Sequence, residues 1–231
     1  MVEGPGGLPL GSEGRVLVLF SGGFDSTVAA WKLMKRGCRV DLLHFHLGYN
    51  EPLRVAVEAA KYLADNWSFG HDMRLLVVNF RSQVMALEGL VSPPYRTLVL
   101  RRLMLEYAEK LAEKLGVEAL ALGDSIGQVS SQTIRNIYLV ERGLGVPVLR
   151  PLSGSDKDEI VKDAIKIGVY DIVKRQIEVC AVASHATPRG DPRVFEKEYG
   201  KVRGLSAPEP VVIDLKKRSI EEILEVLGVR G

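Results

Sequence analysis

The sequence predicts an α/β fold: a parallel five-stranded sheet with helices on both faces. Two observations predict it. Five short runs are apolar at nearly every residue, as strands buried on both faces must be. Between them lie longer stretches whose apolar residues are spaced by three and four, the mark of amphipathic helices. Strands alternating with helices build parallel sheets.

The elements follow in order. Residues 15–20 form the first buried run and end at Gly22-Gly23. Residues 25–36 then read as a helix, with Ala30, Leu33 and Met34 on one face and Gly37 as its stop. Residues 39–45 are a second strand, 51–66 a helix and 74–80 a third strand. The clearest helix spans 97–115, where Leu100, Leu103, Met104, Tyr107, Leu111 and Leu115 make one stripe and Gly116 ends it. A strand at 118–122, a helix at 128–141, a strand at 146–149 and a helix at 156–167 complete the alternation. Residues 211–215 and 219–227 read as a last strand and helix, outside the five-stranded sheet.

Composition narrows the function. The chain has 231 residues, 46% hydrophobic and 26% charged, with a formal net charge of +2. That charge carries no strong nucleic-acid field. Two distant cysteines, Cys38 and Cys180, build neither a disulfide framework nor a cysteine-rich metal site, which fits a reducing cytoplasm. No apolar run reaches membrane-spanning length and no basic-then-apolar signal opens the chain, so the expectation is a cytoplasmic protein without a membrane partner. Cys38 starts a strand, where packing is its expected role.

Ligands of parallel sheets bind at the carboxyl ends of the strands. Three segments reach that rim: residues 21–26, 44–48 and 123–127. The first reads Ser21-Gly22-Gly23-Phe24-Asp25-Ser26. Two glycines let backbone approach an anion closely. The following helix offers unpaired N–H groups and the positive end of its dipole. Ser21 and Ser26 add hydroxyl donors. Asp25 meets a phosphate only through a cation, so it implies a bridging Mg²⁺ or else a helix cap. The Gly-Lys-Ser/Thr of a Walker A loop is absent from the chain, as is a dinucleotide fingerprint here. On the third segment and beyond, Gln128, Gln132, Arg135 and Asn136 share one helical face, suited to a base or ribose.

Three stretches then carry a family resemblance: Ser21-Gly-Gly-Phe-Asp-Ser26, Gly123-Asp-Ser-Ile-Gly-Gln-Val-Ser-Ser-Gln-Thr133 and Pro147-Val-Leu-Arg-Pro-Leu-Ser-Gly-Ser-Asp-Lys157. Together they resemble the catalytic domain of the ThiI family, the tRNA uridine 4-sulfurtransferases also linked to making the thiazole of thiamine. The resemblance runs from about residue 6 to about residue 180. It implies a Rossmann-like fold of the adenine nucleotide alpha hydrolase-like kind, with ATP and Mg²⁺ as cofactors.

The resemblance also implies roles. Leu19, Phe20 and the loop Ser21, Gly22, Gly23, Asp25 and Ser26 border the nucleotide, as do His44, Phe45, Arg101, Gly123 and Gln132. Asp25, also the metal ligand, and Lys157 serve the activation chemistry, and Cys180 handles sulfur. Read without the family, Lys157 fits a solvated charge cluster, Cys180 a small buried residue and Arg101 a surface residue laid along its helix. Family members often show two adjacent cysteines at the sulfur site; here Val179 and Ala181 flank Cys180 alone.

The expected organisation is a linker-like arm at 1–14, a PP-loop ATP pyrophosphatase domain at 15–190, and an extension at 191–231 packing on it. The THUMP domain that grips tRNA in the family and a rhodanese-like domain are both expected to be missing. The partners implied are therefore tRNA held through a separate THUMP-containing protein and an external persulfide or sulfide donor; a homodimer stays open. Two competing readings also stay open. One is a PP-loop ligase that transfers nitrogen, and the other is a non-catalytic nucleotide-binding subunit.

Overall fold

A computed structural model of the chain describes residues 6–176 and 186–229. The elements in order are β1 (Glu13–Leu19), α1 (Phe24–Lys35), β2 (Cys38–His46), α2 (Asn50–Trp67), β3 (Arg74–Asn79), α3 (Arg81–Leu90), α4 (Pro93–Leu115), β4 (Ala119–Ala121), α5 (Ile134–Glu141), β5 (Val148–Leu149), α6 (Lys157–Ile167), α7 (Tyr170–Val173), α8 (Pro192–Gly200), β6 (Val211–Asp214) and α9 (Ile220–Val226). Among the described residues no helix is long and apolar enough to cross a membrane.

The sheet is Rossmann-like and mostly parallel, but it has six strands rather than five, in the order β5-β4-β1-β2-β3-β6. The sixth is β6, which pairs antiparallel with β3 from Arg74↔Asp214 to Val77↔Val211. Its membership is hard to read locally because only Ile213 is buried while Val211 and Val212 are exposed. An edge strand with one covered face lacks the continuous apolar run of the central strands.

Alternation along the central strands divides the core into two layers. Val16 and Val18 of β1 face one layer with the inner faces of α1, α2, α6 and α9. Leu17 faces the other with α3, α4, α5 and α8. Both layers are apolar, so the strands read as mostly hydrophobic runs, with Asp41 and His44 the polar residues buried in β2. Cys38 is buried in the first layer, as its place at the strand start suggested. Burial pushes its thiol pKa up, with Glu13 and Glu118 adding to the effect against Arg36.

Helices α3, α7 and α8 were not read from the sequence. The start of α8 did carry a signal: Asp191 caps it by accepting from Arg193 N and Val194 N, and Pro192 stands in its first turn. Helix α4 begins at Pro93 rather than 97, because prolines cost little where helical N–H groups have no partner anyway.

Candidate functional site

Strand order reverses beside β1: β2 and β3 lie on one side, β4 and β5 on the other. Connections leaving β1 and β4 therefore diverge and open a crevice at their carboxyl ends. A cleft of about 670 Å³ lies there.

The loop after β1 forms one wall. Gly22 has φ +81°, and a Cβ on it would sit 2.4 Å from the Ala56 Cα of α2. Only glycine permits that turn and that approach. The Ser26 hydroxyl organises the loop, accepting from Ser21 N and Gly22 N at 3.2 Å each and lying 3.1 Å from Ser21 Oγ. Gly23 N donates to Ser21 Oγ at 3.3 Å. Gly23 is the N-cap of α1, with no side-chain cap hydrogen bond, and Asp25 follows two residues later. It sits in the first turn, on the cleft wall.

The loop after β4 meets this wall directly. A Cβ on Gly123 would fall 2.6 Å from the Asp25 carbonyl carbon and the Ser26 nitrogen. The same loop is stitched to the chain before α6: Ser125 Oγ donates to Ser155 O at 2.6 Å and Ile126 N to Ser153 O at 3.3 Å. At the head of α6, Asp156 and Glu159 form a reciprocal capping box. That accounts for two acids of the charge cluster there, while Lys157 lines the cleft.

At the end of β2, His44 and Phe45 are both core and cleft residues. His44 Nδ1 lies 2.9 Å from Phe20 O, tying the two strand ends together. Burial lowers the His44 pKa to about 4, against the favourable carbonyl contact and with His46 adding to the fall. The imidazole is neutral at pH 7, and since a carbonyl only accepts, Nδ1 carries the proton. Phe45 meets Phe80 and Tyr107 edge-on, at centroid distances of 4.8 and 5.9 Å.

The structure thus lines one cleft with Leu19, Phe20, Ser21, Gly23, Asp25, Ser26, His44, Phe45, Arg101, Gly123, Gln132 and Lys157. Gly22 is buried behind the loop, and Cys180 lies outside the described residues. A second depression, over α1 and α6 and lined in part by Lys32, Lys35, Arg36 and Lys166, gathers none of them.

Two features differ from the sequence reading. Residues 128–141 are not one helix: a 3-10 turn at Ser130–Gln132 precedes α5, which starts at Ile134 behind the Thr133 cap. The polar stripe is thereby broken. Asn136 is fully buried, donating to Ser130 O and Thr187 O at 2.7 and 2.8 Å and accepting from Gly190 N at 2.9 Å. The second feature is Asp124, which sequence reasoning left without a role. It is 4% exposed and binds Arg101 Nη2 at 2.5 Å, Arg150 Nε at 3.2 Å and Gln132 Nε2 at 3.2 Å. Its signal was an acid directly after a buried strand, on the ligand rim.

A family model described as thiamine biosynthesis protein (ThiI) matches residues 11–203. The chain belongs to the ThiI family. It is 55% identical over 228 residues to a probable tRNA sulfurtransferase of Aeropyrum pernix, covering 99% of this chain and 58% of that protein. A tRNA sulfurtransferase of Pyrobaculum aerophilum is 43% identical over 230 residues, covering 98% of this chain and 47% of the relative. This ThiI chain therefore spans about half the length of the curated relatives it matches. A solved structure described as a 4-thiouridine synthetase–RNA complex with bound ATP aligns with a TM-score of 0.81 at 34% identity, over 96% of this chain and 56% of that one. An NMN synthetase of Francisella tularensis, at 16% identity and a TM-score of 0.52, shares the fold alone.

Proposed function

We propose that this ThiI chain binds Mg²⁺-ATP in the cleft and activates a tRNA uridine for 4-thiouridine formation. The observation that carries the reading is the single cleft where the phosphate loop, Arg101, Gln132 and Lys157 meet. In the first step the uridine O4 attacks the α-phosphorus, the bond to the β-phosphate oxygen breaks, and pyrophosphate leaves. The N–H groups of Ser21, Gly22 and Gly23 rest on serine hydroxyls. An arriving phosphate takes over those donors at the positive end of α1. Lys157 and Arg101 supply charge to the transition state.

Among the described residues no three His, Cys, Asp or Glu gather as a metal site. One carboxylate plus substrate phosphates is nonetheless a usual donor set for Mg²⁺. Asp25, on the cleft wall beside Ser26, fits that requirement. Held there, Mg²⁺ would offset charge on the departing pyrophosphate.

In the second step a sulfur nucleophile attacks C4 and AMP leaves carrying O4. Cys180 is the proposed carrier, loaded as a persulfide by an external donor. The terminal persulfide sulfur bonds to C4, an external thiolate attacks Cys180 Sγ, the S–S bond breaks and 4-thiouridine leaves, and a second thiol reduces the mixed disulfide left on Cys180. Gln176 Nε2 donates to Ser21 O at 2.6 Å. The tRNA is gripped through a THUMP-containing partner. Nitrogen transfer is not favoured, since the relatives are described as sulfurtransferases.

The test supplies ATP, Mg²⁺, unmodified tRNA, a THUMP-containing partner, a persulfide donor and a thiol, and measures pyrophosphate and 4-thiouridine. Both are expected to form in equal amounts. ATP binding without pyrophosphate release, or release driven by an amine but not by the persulfide donor, would overturn the reading.

A further inference from the structure

We infer that Asp124 is a positioning residue of the nucleotide cleft: it turns Gln132 so that this side chain accepts a hydrogen bond from the nucleotide. The inference rests on the ATP reading proposed above. Both Asp124 oxygens are engaged, Oδ2 by Arg101 Nη2 at 2.5 Å and Arg150 Nε at 3.2 Å, and Oδ1 by Gln132 Nε2 at 3.2 Å. Arg150 is fixed from its other side by the Glu141 carboxylate. The carboxylate itself is buried, with 5% of its side chain exposed.

A carboxylate held by two guanidinium groups only accepts, so Gln132 can turn only its NH₂ group toward it. The amide is thereby oriented, and Gln132 Oε1 is left buried with no partner. Arg101 Nε is also buried with no partner. Both side chains line the cleft. Asp124 thus sorts the two: Arg101 presents an unused donor and Gln132 an unused acceptor. An unpaired buried acceptor is costly, and a ligand donor relieves that cost. The chemistry that Gln132 reads is therefore a hydrogen-bond donor, which on ATP is a ribose hydroxyl or the exocyclic amine of adenine. The same constraint disfavours a nucleotide that presents an acceptor there, because two acceptors would face each other without a proton.

Calorimetric titration of the full chain with ATP, 2′-deoxy-ATP, 3′-deoxy-ATP and inosine triphosphate tests this. Wild type is expected to bind one analogue class roughly tenfold more weakly than ATP. Weakness of a deoxy-analogue assigns the ribose hydroxyl, and weakness of the inosine nucleotide assigns the amine. Gln132→Ala is expected to bring ATP down to that analogue and erase the discrimination. Asp124→Asn is expected to do the same, since an asparagine there can donate and lets the Gln132 amide turn over. The double variant then adds no further loss of discrimination. Melting curves establish that each variant is folded, and if Asp124→Asn is not, Asp124→Ser, whose hydroxyl can also donate to Gln132 Oε1, takes its place. Equal binding of all four nucleotides overturns the inference. So does an Asp124→Asn variant that weakens all four by one factor, additively with Gln132→Ala. Absence of binding by every nucleotide instead overturns the ATP reading itself.

Discussion

His44 Nδ1 hydrogen-bonds the Phe20 carbonyl oxygen at 2.9 Å, where β1 gives way to the phosphate loop. The ring is fully buried and its pKa is lowered to about 4, chiefly by that burial. Below about pH 6.5 the unfolded chain takes up a proton that the folded ring refuses. Stability from this group is therefore complete above pH 6.5 and is lost as pH falls toward 4. Between pH 7 and 4.5 it contributes a loss of about 2–3 kcal/mol. Urea unfolding at both pH values, in wild type and His44→Gln, should show the variant losing that much less. Equal losses in the two proteins would contradict the assignment.

Two glycines set the mouth of the cleft for different reasons. Gly22 has a positive φ and presses on Ala56, while Gly123 presses on the backbone of Asp25 and Ser26. Neither obstacle is the end of a flexible side chain, so backbone must move. Gly22→Ala and Gly123→Ala should each weaken ATP at least about tenfold and cost roughly 1–3 kcal/mol of stability. Gly154→Ala is the control: it has open space around it, and both readouts should stay within about 0.5 kcal/mol. Titration and melting of the three variants separate these outcomes.

Stability and function separate at Asp41. Its carboxylate is 3% exposed and holds Arg74 Nη2 at 2.5 Å and Arg15 Nη2 at 3.0 Å. The Arg74 pKa is raised, first by that hydrogen bond. Losing the charge and one of the two acceptor oxygens sets an NH₂ group against guanidinium groups that are only partly exposed. Asp41→Asn should cost about 2–4 kcal/mol in urea unfolding. Asp41 lies three residues before His44 on β2, roughly 10 Å away along the strand. ATP affinity of the folded variant should therefore stay within about twofold.

What could be read from the sequence follows from how local each cause is. The central strands were legible because burial on both faces makes most positions apolar, as at Val40 and Leu42–Leu43 beside the ion-paired Asp41. The phosphate loop was legible because its glycines and serines act within six residues. Strand β6 was not placed in the sheet, because its pairing with β3 joins residues far apart in sequence, as Leu75↔Ile213 shows. The helix around Gln132 was misread because Thr133 is extended and caps α5, ending the regular spacing that the polar residues suggested. Asp124 was passed over because its partners Arg101 and Arg150 come from α4 and the chain after β5, a convergence that only the folded sheet creates.

The two cysteines should divide cleanly by reaction step. Cys38 is packed in the core and its thiol pKa is raised by burial, so at neutral pH it is not the thiolate that sulfur chemistry needs. Cys38→Ala should cost about 1 kcal/mol from lost packing and leave both pyrophosphate release and thiolation within about twofold. Cys180→Ala should keep pyrophosphate release, since adenylation uses the phosphate loop and Lys157, yet lose 4-thiouridine formation from a persulfide donor. Pyrophosphate and 4-thiouridine are measured in the same reactions, with free sulfide excluded. Normal thiolation by Cys180→Ala would remove Cys180 from the mechanism. Loss of thiolation in a folded Cys38→Ala would move the sulfur carrier into the core, against the packing seen there.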